Sequence, residues 1–209
     1  MKRIETQADV DAGTVWLIHR EPRFGAVSDV TGPLPLRLRG DGFPAILSAI
    51  VGQQVSTASA AAIWARVEAA GLTTAEAVNQ AGEDDLRACG FSAPKIRYAR
   101  AIAAADIDWP SLRAMDDDAV RKTLIALSGI GPWTAEIYLL SSLGRPDAFT
   151  AGDLALQEAA KVLFDLNERP SDKALLQMAG NWSPWRAVAA RALWAYYRHI
   201  KGREGVRRC

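Results

Sequence analysis

The chain has 209 residues, 49% of them hydrophobic, and 25 lysines and arginines face 24 aspartates and glutamates for a net charge of +1. That length and apolar fraction make a globular core, not disorder, the default reading, and the balanced charge argues against a non-specific nucleic-acid binder without deciding the matter. Two cysteines, Cys89 and Cys209, exclude a four-thiolate iron–sulfur cluster or a disulfide scaffold, and two histidines, His19 and His199, make a histidine-built zinc site a poor expectation.

The charged start Met1-Lys2-Arg3-Ile4-Glu5 leads into polar sequence rather than a signal-peptide stretch, and no run of 18 apolar residues occurs. A soluble intracellular protein without a membrane partner is expected. Alanine-rich amphipathic stretches recur along the chain while alternating strand patterns are scarce, which predicts a mainly helical protein. A first helix is expected over residues 9–20. The Pro/Gly-punctuated stretch 32–42 has room for a short extended piece. Pro44 suits the first turn of a helix over 45–51, Ser56 the N-cap of a helix over 57–70, and Gly71 its stop. Between these two helices, Gly52-Gln53-Gln54-Val55-Ser56 marks a turned junction. Further helices are predicted over 74–80, 83–89 with Gly90 as the stop, 94–105, 117–127, 132–143, 154–166, 171–179 and 184–200. The basic stretch from Arg198 to Arg208 reads as a solvated tail.

The most informative segment is Leu124-Ile125-Ala126-Leu127-Ser128-Gly129-Ile130-Gly131-Pro132-Trp133-Thr134-Ala135. It reads as a helix, a hairpin whose glycines permit positive φ, and a second helix opened by proline. Two glycines strip the turn of side chains, so main-chain N–H groups and the positive end of the second helix can approach a phosphate. A plain helix–turn–helix connection would look similar. Downstream, Asp153 directly precedes the apolar periodic run 154–160, where an aspartate serves as an N-cap and where the helix N-terminus favours a negative charge.

This hairpin, followed by Phe149-Thr150-Ala151-Gly152-Asp153-Leu154, resembles the signature of the DNA glycosylase superfamily named for its helix-hairpin-helix and Gly/Pro-Asp loop. The resemblance runs over roughly residues 37–197. It implies an all-α, two-lobed helical bundle with a DNA-facing cleft between the lobes. In that arrangement one lobe covers about 40–127, the other combines 1–39 with 144–209, and the helix-hairpin-helix at about 117–143 lies at their junction. It also implies that Asp153 is catalytic, shielding the cation that develops on the sugar and orienting or deprotonating the attacking water.

Bifunctional members of the superfamily carry a lysine two residues after the second hairpin glycine. Here that place holds Trp133, which leaves no amine for an imine route and implies a monofunctional hydrolase. Core packing is the plain alternative for Trp133. Together with Trp182-Ser183-Pro184-Trp185-Arg186, however, it resembles the bacterial 3-methyladenine DNA glycosylase II branch, in which Trp194 occupies the place of a second pocket tryptophan. Arg191, Trp194 and Arg198 share a helical stripe, so Trp194 is expected at the wall of a pocket rather than fully buried. Two indoles would stack on an electron-poor alkylated purine such as 3-methyladenine or 7-methylguanine. Where relatives carry tyrosines, this chain has Ile137 and Leu154, which thins the aromatic pocket. With only about forty residues before the shared core, the β-rich N-terminal domain of some relatives is expected to be missing.

The same resemblance assigns the wedge that fills the gap behind an extruded base to Gln54, with Gln53 beside it; a solvent-exposed cap of the next helix is the alternative. Ser128, Gly129, Ile130, Gly131 and Thr134 form the DNA-binding hairpin. The carbonyls of Ile125, Leu127 and Gly129 are expected to accept a structural Na+ or K+, and no cofactor is required. The expected partner is damaged double-stranded DNA, bound by a monomer in the bacterial cytoplasm at the nucleoid, or in the nucleus of a eukaryote. Two alternatives stay open: a glycosylase for deaminated bases, hypoxanthine or uracil, and a non-catalytic helix-hairpin-helix DNA-binding protein.

Overall fold

A computed structural model describes residues 3–207, with side chains through residue 202. Cys209 and Arg208, and the side chains of the preceding basic stretch from residue 203, lie outside what is described. Among the described residues there is no strand, and no helix is long and apolar enough to cross a membrane. The fold is all-helical. The chain divides into two compact units, Met1–Leu38 together with Leu139–Cys209, and Arg39–Tyr138.

The first unit is built on α1 (Gln7–Arg20), α2 (Arg23–Thr31), α10 (Leu154–Leu163), α11 (Asp172–Ala179) and α12 (Arg186–Arg207). Helix α12 packs against α1, α2 and α10. Its core includes an aromatic cluster in which Trp182 meets Phe24 and Phe149 edge-on and stacks on Phe164. Such offset and T-shaped contacts are the geometry that ring quadrupoles favour. Helix α2 was not anticipated: residues 23–31 carry a glycine, a serine, a threonine and two valines, all weak helix formers, and Pro22 offers no side-chain cap. Burial of Phe24 and Val27 forms it instead. The stretch 32–42 contains no strand. Its backbone is held by side chains: Gln7 Nε2 donates to the Leu34 carbonyl and Gln7 Oε1 accepts from Leu36 N.

The second unit comprises α3 (Phe43–Gly52), α4 (Thr57–Ala69), α5 (Ala75–Gln80), α6 (Glu83–Cys89), α7 (Ala93–Ala103), a short 3-10 turn at Pro110–Arg113, α8 (Asp117–Ile125) and the start of α9 (Pro132–Ser141). Here local chemistry sets the boundaries. Ser56, Thr74 and Asp116 accept hydrogen bonds from Ser59 N, Ala77 N and Ala119 N, satisfying first-turn donors. Gly90 ends α6 in the left-handed conformation. Helix α3 packs on α4 and α7, burying Ile46, Leu47 and Ile50 completely.

Candidate active site

The hairpin lies in the second unit, between α8 and α9. Its two glycines differ. Gly129 has φ +87°, and a Cβ there would lie 2.4 Å from Tyr98 Cγ on α7, so this glycine answers both a backbone and a packing demand. Gly131 needs no positive φ, contrary to the expectation, and a Cβ on it would meet no protein atom within 4 Å. Its carbonyl accepts from Ala135 N, which makes it the residue that opens α9. Around the turn Ser128 is exposed, whereas Ile130 and Thr134 are buried, so the side chains of these two do not face a phosphate. Arg121 on α8 braces the motif, donating from Nε to Glu136 on α9 and from Nη1 to Asp118. Burial opposes the Arg121 charge, but the hydrogen bonds and charges of Glu136, Asp118 and Asp117 outweigh it and hold its pKa above the usual value.

The Gln53–Gln54 turn belongs to the same unit. Gln54 is exposed and sits at φ +57°, an unusual conformation for a residue with a side chain. Gln53, placed beside it as part of the wedge, is instead committed to the hairpin. Its Nε2 donates to the Gly129 carbonyl at 3.0 Å and lies 3.5 Å from Thr134 Oγ1. Spacing along the chain could not show this, because the contact spans 76 residues. Lys95 on α7 caps the same end of α3 by donating from Nζ to the Val51 carbonyl at 2.7 Å. Burial lowers the Lys95 pKa.

Asp153 lies in the first unit as the N-cap of α10. Its half-buried carboxylate receives three donors on one oxygen: Ala155 N at 2.9 Å, Leu156 N at 3.1 Å and the Trp194 indole Nε1 at 3.2 Å, all to Oδ1. Trp194, read from the sequence as a pocket wall, is thus half-buried and hydrogen-bonded to the carboxylate itself. The stripe from which its setting was inferred proves different in character. Arg191 is 2% exposed, donating to the carbonyls of Leu36, Ala187 and Leu140. Burial, with the nearby Arg37 charge, lowers its pKa to about 10. Three backbone acceptors make burial of a guanidinium affordable without a carboxylate, so a charged neighbour did not imply solvent.

Of the other residues that the resemblance assigns to a base pocket, Trp133 is 42% exposed and is therefore not a core residue, Ile137 is half-buried, and Leu154 is 54% exposed. The Trp182–Arg186 segment anchors the fold. Trp182 fills the aromatic core, Trp185 packs so closely on α1 that a Cβ at Gly13 would fall 2.6 Å from its ring, and Arg186 grips Asp147 through two parallel bonds of 2.8 and 2.7 Å. Ser183 Oγ adds a third bond to Asp147. Asp147 was not foreseen; its partners lie 36 and 39 residues away. For a hairpin cation, the carbonyls of Leu127 and Gly129 already accept from Ile130 N and Gln53 Nε2. Each of these two oxygens retains a second lone pair.

Residues 47–184 match the family model described as HhH-GPD superfamily base excision DNA repair protein. The chain is 36% identical over 123 residues to the putative DNA-3-methyladenine glycosylase YfjP of Bacillus subtilis, covering 57% of this chain and 43% of that one. It is 30% identical over 158 residues to DNA-3-methyladenine glycosylase 1 of Schizosaccharomyces pombe, covering 71% of this chain and 69% of that one. Among solved structures, the 3-methyladenine DNA glycosylase Mag1 of the same yeast, in complex with abasic DNA, superposes with a TM-score of 0.78 at 26% identity, covering 88% of this chain and 95% of that chain. The chain spans less than half the length of some curated relatives it matches, YfjP among them.

Proposed function

The chain belongs to the HhH-GPD superfamily of base excision DNA repair proteins, and from that premise we propose that it is a monofunctional DNA glycosylase hydrolysing the N-glycosidic bond of alkylated purines in duplex DNA. The observation that carries this reading is the Asp153 carboxylate, seated at the N-terminus of α10 with three donors converging on one oxygen. Donors on Oδ1 fix the direction of the carboxylate, and a fixed negative charge stabilises an oxocarbenium-like sugar without reorganising as the bond breaks.

The hairpin main chain at Ser128, Gly129 and Gly131 grips a phosphate, and the open space at Gly131 admits the close approach this needs. Gln54, exposed on its turn, fills the gap left by the extruded nucleotide. By the resemblance, the indoles of Trp133 and Trp194 and the apolar side chains of Ile137 and Leu154 are the groups assigned to an electron-poor, alkylated base. The C1′–N bond then breaks, the base leaves with the bonding pair, water adds to C1′, and the surplus proton passes to Asp153 or solvent. Alkylation has already weakened that bond, so no protein acid is required. With a tryptophan at residue 133 there is no amine to form an imine, and the strand stays intact. A monovalent cation on the carbonyls of Ile125, Leu127 and Gly129 would add positive charge beside the bound phosphate; the chemistry at the sugar does not depend on it. The protein works as a monomer on damaged DNA, in the cytoplasm of a bacterium or the nucleus of a eukaryote.

The test is incubation of the purified protein with methylated duplex DNA. Free 3-methyladenine and 7-methylguanine are expected, with strand breaks only after alkali. Release of no alkylated base overturns the reading, and breaks without alkali overturn its monofunctional part.

A further inference from the structure

Behind the Asp153 loop lies a polar side chain that the proposed chemistry does not use. Gln157, one turn into α10, is only 6% exposed. A buried carboxamide is costly unless its groups are paired, and both N–H donors of this one are. Its Nε2 donates one hydrogen to the carbonyl of Ala151 at 2.9 Å and the other to Asp172 Oδ1 at 2.7 Å. Asp172 is the first residue of α11, and its second carboxylate oxygen reaches Gly152: a Cβ there would lie 3.1 Å from Oδ2. Gly152 does not have the positive φ that would by itself call for glycine. The absent side chain makes room for the Asp172 carboxylate.

Residues 151 and 152 immediately precede Asp153; the first is fixed from behind by a hydrogen bond, and the second has the Asp172 carboxylate against the place a side chain would take. The front is fixed separately, by the capping bonds on Asp153 Oδ1. We propose that Gln157 and Asp172 form a positioning brace for the Asp153 loop, holding the Ala151 carbonyl and the Gly152 backbone so that the carboxylate stays aimed at the sugar. This rests on the reading of Asp153 as the catalytic carboxylate. Neither residue touches DNA in this account. Both act on the rate of bond cleavage through Asp153, because small displacements of a catalytic group are expensive in rate.

The experiment measures single-turnover release of 7-methylguanine and, separately, equilibrium affinity for an abasic-site duplex. Gln157→Leu keeps the side-chain bulk and deletes both donors; release is expected to slow about tenfold while DNA affinity changes less than about twofold. Asp172 is exposed, so Asp172→Ala keeps the fold even if the buried change does not, and it is expected to slow release about threefold. Asp172→Asn, which still offers an oxygen to Gln157, should recover part of that loss. Parent-like release in Asp172→Ala, or equal losses of rate and DNA affinity, overturns the brace. An Asp153→Asn variant that keeps the parent rate overturns the reading of Asp153 instead, so the two failures are told apart.

Discussion

Replacing Gly129 with alanine tests why the hairpin is built as it is. Two costs add. An L-residue at φ +87° loses about 1–2 kcal/mol relative to a right-handed conformation. A Cβ 2.4 Å from Tyr98 Cγ and 2.7 Å from Cδ2 forces the ring or the turn to move, at about 1–3 kcal/mol. The Tyr98 ring can turn, but its Cβ, 2.9 Å from the added atom, moves only with the backbone, so a value near the middle of the combined range applies, about 3 kcal/mol. For a chain of this size that corresponds to a fall in Tm of roughly 6–12 °C. The assay is thermal denaturation by circular dichroism alongside titration of an abasic-site duplex at fixed salt. In Gly129→Ala/Tyr98→Ala the clash with the ring disappears, while the contact with the residue-98 Cβ at 2.9 Å and the backbone part remain, so the two changes cost less together than their sum. Gly131→Ala is the counterpart: with no positive φ and no protein atom in reach, its Tm should stay within about 2 °C of the parent, while its DNA affinity falls about tenfold as the methyl blocks a phosphate. A Gly129→Ala protein with parental Tm, or a Gly131→Ala protein with parental affinity, refutes the reasoning.

Gln53→Leu removes the tie to the Gly129 carbonyl; duplex affinity should weaken about fivefold, and an unchanged affinity would show that the tie does not hold the hairpin for DNA. Trp194→Phe keeps an aromatic ring but loses the N–H that reaches Asp153 Oδ1; base release should slow roughly tenfold with DNA affinity retained, and a parental rate would remove Trp194 from the carboxylate's support. Tyr138 carries the pH prediction. Burial chiefly, and Asp41, push its phenol up to about 12, against the opposing hydrogen bond from Gly42 N and the Arg113 charge. A raised pKa on a group neutral when protonated stabilises the fold fully below its unfolded pKa near 10, and that contribution is lost as pH rises through about 12. Denaturant titrations should therefore show stability falling between pH about 10 and 12 by up to about 2–3 kcal/mol, and the fall should be smaller in Tyr138→Phe. Identical alkaline profiles would contradict this assignment.

What could be read from the letters was what depends on near neighbours. Ser56 and Gly90 sit where capping chemistry places them, and Asp153 caps its helix as its position before an apolar run required. Helix α2 was hidden because its stability comes from Phe24 meeting Trp182, far along the chain, and not from its own propensities. The same holds in the site. Gln53 looked like a neighbour of Gln54 but answers to Gly129, and Gln157 and Asp147 have no local feature to mark them. Arg191 misled because a charge on a helical stripe normally means water, while here three carbonyls replace it. Trp194 was placed near the chemistry by resemblance, but its hydrogen bond to the carboxylate is a matter of three-dimensional geometry.

The central claim concerns one carboxylate. Single-turnover release of 7-methylguanine from methylated duplex should fall by about a hundredfold or more in Asp153→Asn, a near-isosteric change, while affinity for an abasic-site duplex is kept. Release at the parental rate, from a variant that melts and binds DNA as the parent does, would contradict the account and leave a hairpin that grips DNA without cutting the glycosidic bond.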